Sequence, residues 1–358
     1  MASLMEKMLK AGSIKSASVL SKSVFFNAKE AIPTDLPILN IAFSGSLDGG
    51  LLPGLTVVAG ASKSFKTMLS LYCMKAYLDK YTDGIAILYD SEFGITPEYL
   101  ESFKIDTGRV IHIPIENVEQ LKFDIVQRLG EIDRKDKVFI MIDSIGNLAS
   151  KKEVEDAENE KSVADMSRAK SLKSLFRIIT PHLTTKNIPC LAINHIYQEM
   201  GLYPKAIVSG GTGIYYSANQ IFIISKSQEK DGTDLVGWNF TINIEKSRYV
   251  KEKAKLPFTV LYNSGIKKWS SIFDLAVECG AIIKPKVGWY QTVDLETGEV
   301  SEKSYRQKEL ENNDAFFEKL VKNDTFKEYV EMKFKLTAGG SNPTSDYEED
   351  DEEVDTDE

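Results

Sequence analysis

The sequence predicts an α/β domain built on a mostly parallel, twisted sheet, and three observations predict it. Unbroken apolar runs of strand length recur from residue 55 onward, as expected of strands buried on both faces. Between them lie segments of helical period, such as Leu121, Ile125, Leu129 and Ile132, or Leu172, Leu175, Phe176 and Ile179. A stretch with the frame of a phosphate-binding loop follows the first run and opens a helix. Strands alternating with helices give a parallel sheet with helices on its faces.

Taken in order, residues 1–23 carry Lys7, Lys10, Lys15 and Lys22 against Glu6 in an amphipathic, serine-rich pattern. They read as a short helix leading into the extended "SVFFNAKEAIP", and residues 1–33 as an arm that docks on a neighbouring copy. The strands are "LTVVAG" (55–60), "IAILYD" (85–90), "VFIMID" (138–143), "CLAINH" (190–195) and "QIFIIS" (220–225). "WNFTINIEKS" and "PFTVLYN" follow as antiparallel edge strands and complete a body over 34–269. A small domain is expected over 270–340 and a disordered tail over 341–358.

Composition narrows the class. The 358 residues are 42% hydrophobic and 27% charged, ordinary for a globular protein, and no apolar run reaches the ~20 residues a membrane span needs. Cys73, Cys190 and Cys279, like His112, His182 and His195, are scattered, which disfavours a disulfide framework or a zinc site and favours a reducing cytosol. The net charge of −9 belongs to the tail: residues 344–358 hold ten acids and no base, leaving 43 acids against 44 bases elsewhere. Such a segment buries no apolar area. It is either a solubility feature or a tether that competes with nucleic acid for a basic surface.

"GASKSFKTM" carries the chemistry. Gly60, four spacers, Phe65, Lys66 and Thr67 match G-x-x-x-x-G-K-S/T except that Phe65 replaces the second glycine. Ser62, Lys63, Ser64 and Phe65 would offer backbone N–H groups to phosphates, Lys66 a full charge, and Thr67 a hydroxyl to Mg²⁺. If position 65 demands φ > 0, phenylalanine costs ~1–2 kcal/mol there. Asp143, at the carboxyl end of "KVFIMIDS", is either a second Mg²⁺ contact or a helix cap. Glu92 in "ILYDSEFG" is either a base that polarises water for attack on a γ-phosphate or a solvated loop acid.

With these residues in place, the chain resembles the RecA family of recombinases, and within it those of T-even-like tailed phages. The resemblance rests on "SVFFNAKEA", "GASKSFKT", "YDSEFGITPEYL", "IDSIGNLASKKEVEDAENEK", "AKSLKSLFRIITPHLTTKNIPC", "GGTG", "IEKSR" and "KPKVGWY", and covers about residues 20 to 295. The phage-type loop carries the same aromatic at position 65. The resemblance implies a RecA-type P-loop ATPase core with ATP and Mg²⁺ as cofactors. It makes Gly60, Lys66 and Thr67 phosphate and magnesium contacts, Asp143 the magnesium acid and Glu92 the general base. Tyr99 falls where the family stacks a ring on adenine, or is a half-buried helix tyrosine. Lys246 and Arg248 match basic residues that reach the ATP of the adjacent subunit. His195 stands where bacterial members sense the γ-phosphate with glutamine, and is otherwise a polar strand end.

Two DNA loops are implied, 150–165 and about 196–213. In the second, Gly210, Gly211 and Thr212 bring backbone close to phosphates, and Met200, Leu202 or Ile207 wedge between bases. Lys170, Lys173 and Arg177 line one helix face; Lys173 matches a DNA-contacting arginine of bacterial relatives, against the ordinary reading of a solvated basic face. The expected function is a DNA-dependent ATPase that forms filaments on single-stranded DNA and pairs it with homologous duplex. Its expected partners are other copies of itself, single-strand-binding proteins and mediators, in the cytoplasm of a phage-infected host. The alternative is a hexameric helicase or regulatory ATPase on the same core.

Overall fold

A computed structural model describes residues 3–14, 17–23, 30–159, 167–199 and 206–336. Its strands are β1 (Gly54–Gly60), β2 (Ile85–Asp90), β3 (Val110–Pro114), β4 (Val138–Asp143), β5 (Pro189–Asn194), β6 (Ile196–Gln198), β7 (Ala206–Val208), β8 (Gln220–Asp231), β9 (Asp234–Ser247), β10 (Lys255–Leu261), β11 (Gly265–Ile266), β12 (Ile282–Lys286) and β13 (Trp289–Thr292). Among the described residues, nine strands form one sheet in the order β11-β10-β9-β8-β1-β5-β4-β2-β3. The pairs from β8 through β3 are parallel, and those from β8 to β11 antiparallel, as the sequence predicts.

The sheet is covered on both faces because its central strands β1, β2, β4 and β5 are largely apolar and buried along almost their whole length. Val58, Leu88, Phe139 and Met141 enter one core; their neighbours Val57, Ile87, Ile140 and Ile142 enter the other. That is the two-residue period of a strand expressed on two buried sides. The second core is closed by α5 (Val118–Glu131) and α7 (Ser167–Thr185), through Leu121, Ile125, Leu129, Leu172, Leu175, Phe176 and Ile179.

The first core takes α2 (Pro37–Ser44), α3 (Lys66–Lys80) and α4 (Pro97–Ser102). It also takes in α9 (Ser270–Cys279), α10 (Gln307–Glu311), α11 (Asp314–Leu320) and α12 (Asp324–Phe334). Through Ile272, Phe273, Phe317 and Phe326 the C-terminal elements share this core with the sheet. The N-terminal α1 (Leu4–Ala11) buries none of its residues, and leaves Leu4, Met5 and Met8 exposed.

Two features differ from the sequence reading. Strand β3 is an edge strand that no apolar run announces. Residues 151–158, expected as loop, form α6 (Lys151–Glu158), begun by a capping box between Ser150 and Glu153. Residues 160–166 of that loop, residues 200–205 of the second DNA loop with Met200 and Leu202, and the acidic tail lie outside the described residues. The short α8 (Thr212–Ser217) packs on α7, where Gly213 abuts the stem of Lys173.

Candidate nucleotide site

The site forms at the carboxyl ends of the parallel strands. Gly60 ends β1, and a Cβ there would lie 2.6 Å from Ser64 Oγ and 2.8 Å from the Ile224 carbonyl, so the turn closes only on glycine. Ser64 donates to the Ala61 carbonyl at 2.7 Å and sits under the loop, 1% exposed. Phe65 is the N-cap of α3 with φ 62° and ψ 16°, the left-handed conformation the sequence made a question. Its ring meets Phe240 at 4.7 Å and packs on the first core. An aromatic pair contributes ~0.5–1.5 kcal/mol beyond its area, which offsets most of the backbone cost.

Lys66 is 6% exposed, with Nζ donating to the carbonyls of Gly60 (3.1 Å) and Ala61 (2.7 Å) and to Ser64 Oγ (3.3 Å). Burial pulls its pKa below the ordinary lysine value, opposed by the charges of Asp143 and Glu92. Thr67 Oγ1 donates to Asp143 Oδ2 at 2.7 Å. Burial pushes Asp143 up to about 6, with Glu92 and Asp90 adding to the shift and Thr67 and Lys66 opposing it. Asp143 Oδ1 is buried without a hydrogen-bond partner. A buried hydroxyl–carboxylate pair with one orphan oxygen is a donor set that fits a hard cation such as Mg²⁺.

Glu92 lies one turn past β2. Its Oε1 accepts from Ser144 Oγ (2.8 Å) and Asn147 Nδ2 (3.0 Å), and is 3.3 Å from His195 Nε2. Position 146 is glycine because a Cβ there would come within 2.3 Å of the His195 ring. Ser144 and Asn147 had no role in the sequence reading, although both stand in the quoted "IDSIGN". Tyr99 is half-buried, edge-on to Phe103 at 5.4 Å. Ser62, Lys63, Ser64, Phe65, Lys66, Thr67, Glu92, Tyr99, Asp143 and His195 line one cavity of about 260 Å³.

The remaining predicted residues lie elsewhere. Lys246 and Arg248 are at and just past the far end of β9: Ile242 is level with Gly60 through Ile224, whereas Lys246 is level with Ile221 and Val57, about 10 Å back along the strands and away from the loop. Lys246 donates to the Tyr215 carbonyl, and burial together with Arg248 lowers its pKa. Arg248 is exposed. Lys170, Lys173 and Arg177 are exposed on α7. Gly210 and Gly211 precede α8 with φ of 97° and 77°, and Thr212 begins it. Ile207 sits in the β6–β7 hairpin opposite Tyr197. That hairpin is tied to the nucleotide site at its base. Ser209 N–H donates to the His195 carbonyl at 2.9 Å, and Asn194 Nδ2 to the Ser209 carbonyl at 2.7 Å.

A glycine-hinged loop between a central strand and a helix, with a lysine, a hydroxyl–carboxylate pair and a held glutamate, defines a nucleotide-binding α/β protein of the P-loop class. Comparison with known proteins makes the class specific. Residues 4–267 match the RecA N-terminal domain family, and residues 269–330 the C-terminal domain family of the bacteriophage T4 recombination and repair protein. The chain is 48% identical over 346 residues to the recombination and repair protein of Enterobacteria phage T4, covering 96% of this chain and 88% of that one. It is 30% identical over 249 residues to protein RecA of Chlorobaculum tepidum (68% and 69% covered), and 26% over 278 residues to protein RecA of Cutibacterium acnes (76% of each). The chain belongs to the RecA family. Among the described residues no helix is long and apolar enough to cross a membrane.

Proposed function

We propose that this chain is a RecA-type recombinase: an ATPase that assembles on single-stranded DNA as a filament and pairs it with homologous duplex, in the cytoplasm of a phage-infected host. The observation that carries the reading is the convergence of Lys66, the Thr67–Asp143 pair and the held Glu92 on one cavity in a chain of this family. Lys66 and the backbone N–H groups of residues 62–67 bind the phosphates, and Tyr99 flanks the base. Thr67 and Asp143 would hold Mg²⁺, which would supply positive charge against the transferred phosphoryl group. Glu92 takes the proton of the attacking water, with Ser144 and Asn147 fixing the carboxylate that does so.

Lys246 and Arg248 act in trans. They lie too far along β9 to serve their own phosphate loop, yet an exposed guanidinium beside a half-buried ammonium suits an anion brought by a second copy. DNA follows α7 and the Gly210–Thr212 turn, with Lys173 on a phosphate. This reading divides the chain into an arm over 1–33, a core over 34–269, a small domain over 270–340 and a tail beyond. Single-strand-binding and mediator proteins are its further partners.

Electron microscopy with ATP, Mg²⁺ and single-stranded DNA tests it: continuous helical filaments are expected, whereas closed six-membered rings make the chain a helicase. Glu92→Gln should retain ATP binding, slow turnover and lengthen filament lifetime. Equal loss of binding and turnover contradicts the assignment of the base.

A further inference from the structure

One buried acid beside the site has no part in the chemistry described. Asp90 ends β2, is 1% exposed, and stands level with Asp143 of β4 and Pro114 of β3. Its Oδ1 accepts two backbone N–H groups, those of Glu92 (2.9 Å) and Phe93 (2.7 Å). Its Oδ2 lies 3.3 Å from Nε2 of His112, on the edge strand β3. A tight turn after a strand is ordinarily closed by an asparagine, aspartate or serine side chain at the surface, where water shares the cost. A carboxylate sunk in the sheet is costly unless its hydrogen bonds are strong, and bonds to an ionised acceptor are about twice as strong as neutral ones. Here the donors belong to the glutamate itself and to the residue after it. Phe93 is held at φ 54° with its ring 63% exposed, so ring burial does little to hold that conformation. On the other side, Ser91 N–H donates to the Asp143 carbonyl (2.8 Å), and Ser91 Oγ to the Ser144 carbonyl (2.7 Å). The turn is thereby tied to the residue that holds Glu92 Oε1.

We propose that Asp90 is a positioning residue: its carboxylate fixes the turn that aims Glu92 at the reacting water, and His112 fixes Asp90. The inference rests on Glu92 being the general base. Asp90 makes no hydrogen bond to the phosphate loop or to the Thr67–Asp143 pair, and reaches Asp143 through its charge alone. Its loss should therefore reach hydrolysis chiefly through Glu92 and leave metal-free ADP binding in place.

The test is a double-mutant cycle on the full chain: wild type, Asp90→Ala, Glu92→Gln and the double variant. Each is assayed for single-turnover ATP hydrolysis on single-stranded DNA and for affinity toward a fluorescent ADP analogue. Asp90→Ala should slow hydrolysis about 100-fold, the loss expected of a catalytic group displaced by ~1 Å, with ADP affinity within about twofold. Added to Glu92→Gln, it should slow hydrolysis no further. A general structural role would instead lower ADP affinity and slow the double variant by the same factor again, and either result overturns the proposal. Wild-type hydrolysis in Asp90→Ala, with Glu92→Gln slow, also overturns it. Fast hydrolysis in Glu92→Gln removes the base assignment itself, a separate failure. If Asp90→Ala does not fold, Asp90→Asn keeps an acceptor for both N–H groups and replaces it in the cycle. It should give about a 10-fold loss with the same non-additivity, and additive losses refute the idea there too.

Discussion

Replacing Asp143 with asparagine isolates the electrostatic cost of burying this carboxylate. Burial raises this carboxyl from an ordinary 3.8 to about 6, so the folded protein binds its proton more tightly than the unfolded chain does. The linkage sign follows: between those two values the native state holds more protons, and stability is lost as pH rises from about 4 to above 6. The gap corresponds to ~3 kcal/mol at neutral pH, withdrawn from the ligand-free protein by this one side chain. Asparagine keeps the oxygen that accepts from Thr67 and removes the charge. It also puts an amide donor where Oδ1 has no partner, a cost of ~1–3 kcal/mol that does not vary with pH. The pH dependence is therefore the clean measure. Thermal unfolding of both proteins, without nucleotide or metal, from pH 4 to pH 7.5 should show the variant gaining on wild type by ~3 kcal/mol, on the order of 5 °C in Tm. Mg²⁺ with ADP should then stabilise wild type well above the variant. A stability difference that stays flat over that pH range would refute the claim that the folded site strains this carboxylate.

Three further outcomes are open to measurement. Phe65→Gly should relieve the left-handed backbone yet lose the ring on Phe240, lowering Tm slightly while ADP affinity stays within about threefold; abolished binding would make the ring part of the nucleotide site. Neutralising Lys246 and Arg248 together should leave a folded monomer with neither filaments nor cooperative hydrolysis, and mixing it with Lys66→Ala should restore some sites. No recovery at any mixing ratio counts against action in trans. Lys173→Ala should flatten the salt dependence of single-stranded DNA binding by about 0.7 in log–log slope, the value for one phosphate contact. An unchanged slope and affinity would return it to the solvated face.

What the sequence disclosed and what it hid have the same physical origin. Strands β1, β2, β4 and β5 were legible because both faces are buried, so an apolar run stands out before each polar or glycine end. Strand β3 was not, since "VIHIP" is a half-exposed edge whose short alternation includes a histidine. Helix α6 escaped because it buries nothing and has no apolar stripe, although the capping box at Ser150 and Glu153 was available as a signal. In the site, Lys66, Thr67 and Asp143 stood in local motifs and could be read singly. Ser144 and Asn147 are small polar residues after a strand, and only the fold brings them to a carboxylate more than fifty positions upstream. The turn in Phe65 was foreseeable as a conformational cost, but its remedy, Phe240 on β9, lies 175 positions away and belongs to tertiary structure.

His195 connects the two halves of the proposed activity. Its ring stands 3.3 Å from the Glu92 carboxylate, seated over Gly146, while its own carbonyl receives Ser209 at the foot of the β6–β7 hairpin. Asn194 binds the same Ser209 through its side chain and is fully buried. The hairpin thus has no base independent of the nucleotide pocket: to move its stem relative to the sheet, the 194–195 turn must shift, and with it the imidazole beside the base. Coupling needs an element with two arrangements that both sites bias. In the proposed activity, a nucleotide that moved Glu92 and a DNA strand that engaged the hairpin would both act on this 194–209 stretch of backbone.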